Sequence, residues 1–150
     1  NVDYINYEEG VFVGYRYYST YNVPVSYPFG YGLSYCNFKQ SLLNAGIRNG
    51  NVEVEVAVEN ASMRAHSGKD VIQIYARSNA ADSPALELKA YAKTRELAPG
   101  ESQVLTMSVT PYMMASFNEK AQRWETAEGL YKFQIGASVE DIRLSEELRM

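Results

Sequence analysis

Cysteine occurs once, at Cys36, so no internal disulfide can staple the chain. With no CxxC spacing and no histidine nearby in sequence, that thiol offers no zinc site either. A lone thiol suits a reducing compartment slightly better than an oxidising one, with a secreted or periplasmic setting as the alternative. Histidine and tryptophan also occur once each, as His66 and Trp124. No apolar stretch approaches the roughly 18–20 residues of a membrane helix, so no membrane partner is expected. Positive charge is sparse as well. The formal net charge is −4 and no basic run interrupts the sequence, which removes the electrostatic footprint of a nucleic-acid binder. The opening NVDYINYEEG has no Met, no basic region and no apolar block. No signal peptide is visible in it, and it reads as an interior cut from a longer polypeptide.

Tyrosine, by contrast, is abundant: 13 residues, crowded into the first part of the chain (Tyr4, Tyr7, Tyr15, Tyr17, Tyr18, Tyr21, Tyr27). A ring with a polar tip collects where a surface is half buried or meets a ligand. Hydrophobic residues make up 46% of the chain, enough for the core of one domain of ordinary size.

From Tyr35 onward, short alternating runs are separated by turn residues, the pattern of an all-β sandwich. NVEVEVAVEN (51–60) is the clearest, with Val52, Val54, Val56 and Val58 on one face and Glu53, Glu55, Ala57 and Glu59 on the other. DVIQIYAR (70–77) is apolar on both faces and predicts a central strand. Leu105, Met107 and Val109 share a face, as do Tyr131, Phe133, Ile135 and Ala137, and then Ile142, Leu144 and Glu146. Arg48-Asn49-Gly50-Asn51 predicts a hairpin and Ala98-Pro99-Gly100-Glu101 a Pro-Gly turn. Residues 79–84 predict an exposed loop tip. Pro111 to Phe117 is the one helical candidate in the sequence, and it is very short. Without helices long enough for βαβ crossovers, the class is an immunoglobulin-like β-sandwich.

The first 34 residues do not fit that scheme. EEGVFVGYRYYS predicts an extended run with no hairpin partner, and a lone strand cannot satisfy its backbone groups. The expectation is that it joins a neighbouring domain's sheet or wraps along the sandwich.

These residues carry a further pattern. Glu9-Gly10-Val11-Phe12-Val13-Gly14-Tyr15-Arg16-Tyr17-Tyr18, then Pro28-Phe29-Gly30-Tyr31-Gly32-Leu33-Ser34-Tyr35 and Phe38, resembles the C-terminal part of family 3 glycoside hydrolases, the β-glucosidases, β-xylosidases and related enzymes. The likeness continues through Asn60, Gly68 to Tyr75, Glu87 to Lys93, Leu97 to Glu101 and Gly129-Leu130-Tyr131. It implies a fibronectin type III-like sandwich over residues 35–150, preceded over residues 1–34 by the closing strand and linker of the family's α/β domain. It also implies a parent enzyme that hydrolyses terminal β-linked glucosyl or xylosyl residues with retention. The partners would be the catalytic barrel and α/β domains of the same polypeptide and a β-linked glycoside substrate; no cofactor or metal is implied.

No catalytic residue is expected in this chain. Retaining glycosidases need two carboxyl groups about 5–5.5 Å apart. The family's nucleophilic Asp stands in a Ser-Asp-Trp context, whereas Trp124 follows Gln122-Arg123. Glu8 and Glu9 are adjacent, and adjacent strand residues face opposite ways. His66 reads as an exposed loop residue, with Met63 to Ser67 as a slightly altered loop. Asn60-Ala61-Ser62 matches a glycosylation sequon, and Cys36 reads as a small buried hydrophobe between aromatic strand residues.

The stretch YPFGYGLSY (27–35) sets rings against glycines. Pro28 restricts Tyr27, while Gly30 and Gly32 permit backbone paths closed to other residues. It reads as a strap locked between two bodies, with Tyr15, Arg16, Tyr27, Pro28, Gly30, Gly32 and Tyr35 as interdomain or structural residues. Phe29 or Tyr31 is the ring that would reach a substrate at the pocket rim. The competing readings are a carbohydrate-binding module, against which Tyr75, Tyr91, Tyr112 and Trp124 look dispersed, and a protein-interaction domain of the same fold. The bare first 34 residues also predict self-association.

Overall fold

The computed structural model describes residues 3–63, 66–77 and 83–150. Strands β1 (Phe38–Arg48), β2 (Asn51–Asn60) and β5 (Ser102–Val109) form a three-stranded sheet in the order β1-β2-β5. Strands β3 (Val71–Ala76), β4 (Glu87–Lys93), β8 (Leu130–Gly136) and β9 (Ile142–Arg149) form a four-stranded sheet in the order β4-β3-β8-β9. All described pairings are antiparallel. A separate hairpin joins β6 (Ser116–Asn118) to β7 (Arg123–Glu125). Two short helices complete the list, α1 (Tyr15–Tyr21) and α2 (Pro111–Met114).

The core lies between the two sheets. Val52, Val54, Val56 and Val58 of β2 are fully buried and meet Ile72, Ile74, Phe133 and Ile135 of the opposite sheet in one cluster. Each such side chain contributes roughly 1.5–3 kcal/mol of transfer free energy, an upper figure because unfolded chains already hide some surface. β3 is central and buried on both faces, as its two-sided apolar pattern predicts. The Asn49-Gly50 turn closes the β1–β2 hairpin with both residues at positive φ (50° and 79°). At the Pro-Gly turn, Glu101 N–H donates to Ala98 O at 2.9 Å.

The N-terminal segment departs from expectation. No strand forms over Val11–Tyr18; a turn leads to Gly14 (φ 58°), and the chain then enters α1. The sequence YRYYSTY has no two-residue alternation, and a helix satisfies its backbone groups internally where a strand needs a neighbour. The hydroxyls of Ser19 and Thr20 each donate at 2.6 Å to the carbonyls of Tyr15 and Arg16 one turn back, and Asn22 ends the helix in the left-handed conformation. The helical candidate at 111–117 also shortens, because Ser116 and Phe117 enter β6. Cys36 is buried as expected, but it lies in a bend before β1, where Sγ donates to His66 O. Residues 79–82 of the predicted loop tip, and residues 64–65 of the altered loop, lie outside the described residues.

The sequon reading is corrected. Asn60 is fully buried, with Nδ2 donating to His66 O (3.0 Å) and Leu97 O (2.8 Å) and Oδ1 accepting from Ser62 N–H. An amide so engaged ties β2 to two loops and cannot present itself to a glycosylating enzyme. His66 itself is exposed.

Surface carboxylates set an acid dependence. Hydrogen bonding to Arg95, with help from Ala98 N–H, holds the Glu101 carboxyl below its ordinary value of 4.5. Arg143 does the same for Asp141, whose ordinary value is 3.8. Asn118 and then Arg123 do so for Glu125. A carboxyl depressed in the folded state binds protons more readily when unfolded, so its stabilisation is present above the ordinary value and is lost as pH falls through the folded one. Urea midpoints are therefore expected to be flat from pH 7 down to about 4.5 and to decline below it. The decline should be shallower in Arg95→Met, and an identical acid limb in that variant would remove Glu101 from the account.

Candidate docking site

Residues 27–35 run across the end of the four-stranded sheet. Pro28 to Tyr31 make a turn in which Tyr31 N–H donates to Pro28 O at 3.0 Å and Gly30 takes φ 82°. A Cβ at Gly30 would lie 2.2 Å from Gln73 Oε1. Beneath it Gln73 is the junction of a buried polar network. Its Nε2 donates to Gly30 O (3.3 Å) and Ala137 O (2.6 Å), while its Oε1 accepts from the Tyr75 hydroxyl. Burial, and secondarily the neighbouring Tyr15, push the Tyr75 hydroxyl well above its ordinary value, so it stays a donor. A second tie comes from Val139 N–H to Phe29 O at 3.0 Å.

Aromatic packing continues the attachment. Phe29 stacks on Tyr15 with centroids 4.2 Å apart, and Tyr15 meets Tyr75 edge-on at 6.3 Å. The Tyr15 hydroxyl accepts from Leu88 N–H at 2.8 Å, so α1 is pinned to β4. Arg16, one residue on, has its carboxylate partner on the same strand. Its Nε lies 3.4 Å from Glu87 Oε1, and Glu87 Oε2 also accepts from Lys89 Nζ at 2.8 Å. One face of the N-terminal segment is thus bound to the sandwich by hydrogen bonds, rings and an ion pair.

The outer face is different. Tyr27 is 75% exposed, Leu33 90% and Tyr35 96%, and Tyr4, Tyr7, Tyr17, Tyr18 and Tyr21 are exposed as well. Pro28 is half-buried and Gly32 exposed, with nothing within 4 Å of a Cβ built there. Tyr31 leans on Tyr27 at 5.6 Å. A cleft of about 220 Å³ opens between Tyr15, Tyr18, Val25, Tyr27 and Phe29. Glu8 and Glu9 are exposed in a turn. Among the described residues no group of His, Cys, Asp and Glu could hold a metal ion.

Residues 70–139 match the fibronectin type III-like domain family. Over 143 residues the chain is 38% identical to β-glucosidase B of Emericella nidulans, covering 92% of this chain and 17% of that protein. It is 34% identical to the thermostable β-glucosidase B of Acetivibrio thermocellus, covering 99% of this chain and 20% of that one. The structure of β-glucosidase 3B from Thermotoga neapolitana in complex with glucose superposes with a TM-score of 0.88 at 39% identity, over 95% of this chain and 20% of that one. The chain carries a fibronectin type III-like domain and is similar over nearly its whole length to one part of family 3 β-glucosidases. This fibronectin type III-like domain spans about a fifth of the length of the relatives it matches. Its place in them is that of an accessory domain, and the N-terminal segment with the strap is part of the shared unit, since the match runs well upstream of residue 70.

The sequence did not point to Gln73 and Tyr75 as the seat of the strap. An amide in an apolar strand (IQIY) was the available signal, because a buried polar group must find partners. The structure also corrects the dispersal of the later aromatics. Tyr112 and Phe117 both contact Trp124, with centroids 5.9 and 5.6 Å from it.

Proposed function

We propose that this domain braces the catalytic domains of a family 3 β-glycosidase, which hydrolyses terminal non-reducing β-D-glucosyl or xylosyl residues with retention. The observation that carries the reading is the two-sided N-terminal segment. Its inner face is tied to the sandwich at Gly30, Phe29 and Tyr15, while its outer face leaves Tyr17, Tyr18 and Tyr21 exposed, with Tyr17 in ring contact with the other two. Exposed apolar area of that kind marks a contact surface, and interfaces between domains of one chain bury about 600–1,500 Å². Residues 1–34 would belong with the preceding α/β domain, and Tyr27, Pro28 and Tyr35 would sit at the seam. Phe29 stacks on Tyr15 and Tyr31 leans on Tyr27, and each stays partly exposed, so Phe29 or Tyr31 would be the ring that reaches a substrate at the pocket rim.

Bond cleavage stays with the parent's other domains. The chain alone is expected to release no nitrophenol from a nitrophenyl β-glucoside; turnover abolished by changing Glu8 or Glu9 would overturn that assignment. Docking is tested by adding the chain to a parent enzyme truncated before this segment. Binding is expected, weakened about tenfold or more in Tyr17→Ser/Tyr18→Ser/Tyr21→Ser, since a few buried rings dominate such contacts. In sedimentation the free chain should self-associate through the same face, and the triple variant should not. A monomer at high concentration, together with no binding to the truncated enzyme, would remove the proposal.

A further inference from the structure

A second surface lies on the β6–β7 hairpin, outside both main sheets. Its strands are only three residues long, yet it is firmly held. Asn118 Oδ1 accepts from Lys120 N–H and Ala121 N–H, each at 3.0 Å, closing the turn. Thr126 Oγ1 donates to Pro111 O at 2.6 Å, tying the hairpin to α2. Across the strands Phe117 pairs with Trp124, and Tyr112 from α2 meets the same indole from another direction. The three rings remain 47%, 55% and 69% exposed for Phe117, Trp124 and Tyr112. Edge-on contacts fix the indole without covering it.

Polar groups are interleaved with these rings. Glu125 accepts from Asn118 Nδ2 through one oxygen (2.8 Å) and from Arg123 Nε through the other (2.6 Å). Arg123 spends only Nε on that pair and is 73% exposed, so its terminal nitrogens face solvent. Ser116, Phe117, Asn118, Arg123, Trp124, Glu125 and Thr126 border a groove of about 710 Å³, within the roughly 300–1,000 Å³ of small-molecule sites. Protein contacts are depleted of carboxylates and small hydroxyl residues at their centre. Here a carboxylate, an amide, a guanidinium and hydroxyls surround the indole. That mixture matches a ligand with an apolar C–H face and a rim of adjacent hydroxyls, which is a pyranose.

We propose that Trp124, flanked by Tyr112 and Phe117 and ringed by Asn118, Arg123 and Glu125, is a surface binding site for a β-linked gluco-oligosaccharide. Its role would be to hold a glycan strand on the accessory domain, independently of the N-terminal docking face. The indole stacks on one sugar face and Arg123 and Glu125 take hydroxyls at its edge; no covalent step is involved.

Because Trp124 is the single tryptophan, its emission reports the site directly. Titrating the full chain with cellotetraose should give a saturable change in that emission with a dissociation constant in the millimolar range. Calorimetric titration of Trp124→Ala should show affinity lowered about tenfold or more, the loss expected for a stacked ring. Tyr112→Ala keeps the indole and alters only an exposed side chain, so it should fold and bind about threefold more weakly. An emission that does not respond to cellotetraose at tens of millimolar (on the order of ten times a millimolar constant) would overturn the site. So would undiminished binding in Tyr112→Ala together with Trp124→Ala.

Discussion

Gly136→Ala is expected to destabilise the domain by about 3 kcal/mol or more, the upper end for overpacking a site that cannot yield. A Cβ at Gly136 would lie 2.0 Å from Asp141 O and 2.8 Å from Ile142 Cα. Both are backbone atoms of the chain turning into β9, so no rotamer change relieves the clash. The register of the β8–β9 pair already shifts between Ile135 and Gly136, and this bulge lets β9 start close against β8. Forcing the strands apart would also move Ala137, whose carbonyl receives Gln73 Nε2. Gly46→Ala in β1 is the control, since nothing lies within 4 Å of a Cβ there. Urea unfolding of both variants tests the claim, and equal midpoints would refute the packing account.

Gly30→Ala is expected to cost about 2–4 kcal/mol and to loosen the strap specifically. Two effects add. A non-glycine residue at φ 82° carries roughly 1–2 kcal/mol of backbone strain, and the new methyl collides with Gln73 Oε1. Moving Gln73 strands the fully buried Tyr75 hydroxyl, and an unsatisfied buried donor costs a further ~1–3 kcal/mol. Hydrogen exchange should therefore accelerate at Val139 N–H, which donates to Phe29 O, before β2 is affected. Gly32→Ala has open space and should be close to neutral. Gln73→Ala should reproduce the loosening without the clash. If Gly30→Ala and Gly32→Ala exchange alike, the strap is not held at Gly30.

The two glycines show where reading the chain stops being enough. That Gly30 and Gly32 permit unusual backbone is evident from YPFGYG; that the first sits on Gln73 and the second on nothing is a fact of the fold. β2, β5, β8 and β9 were legible because one buried face imposes a period of two. β1 was not, because its register shifts between Leu42 and Asn44, a bulge that breaks the alternation. The β6–β7 hairpin was invisible for another reason. Three-residue strands carry no period, and its turn uses Gln122 at φ 52° in place of glycine.

Local chemistry along the chain determined the class of fold and the β1–β2 hairpin, since periodicity and turn residues are properties of neighbours in sequence, and the family was legible through the resemblance of its quoted blocks. Tertiary structure alone decided that residues 15–21 coil into α1, that Asn60 is engaged in the interior, and that two rings separated in sequence, Tyr112 and Phe117, converge on the Trp124 indole. The reason is that these outcomes depend on which distant groups arrive to satisfy a donor or cover a ring, and the chain closes those contacts only when its two sheets pack.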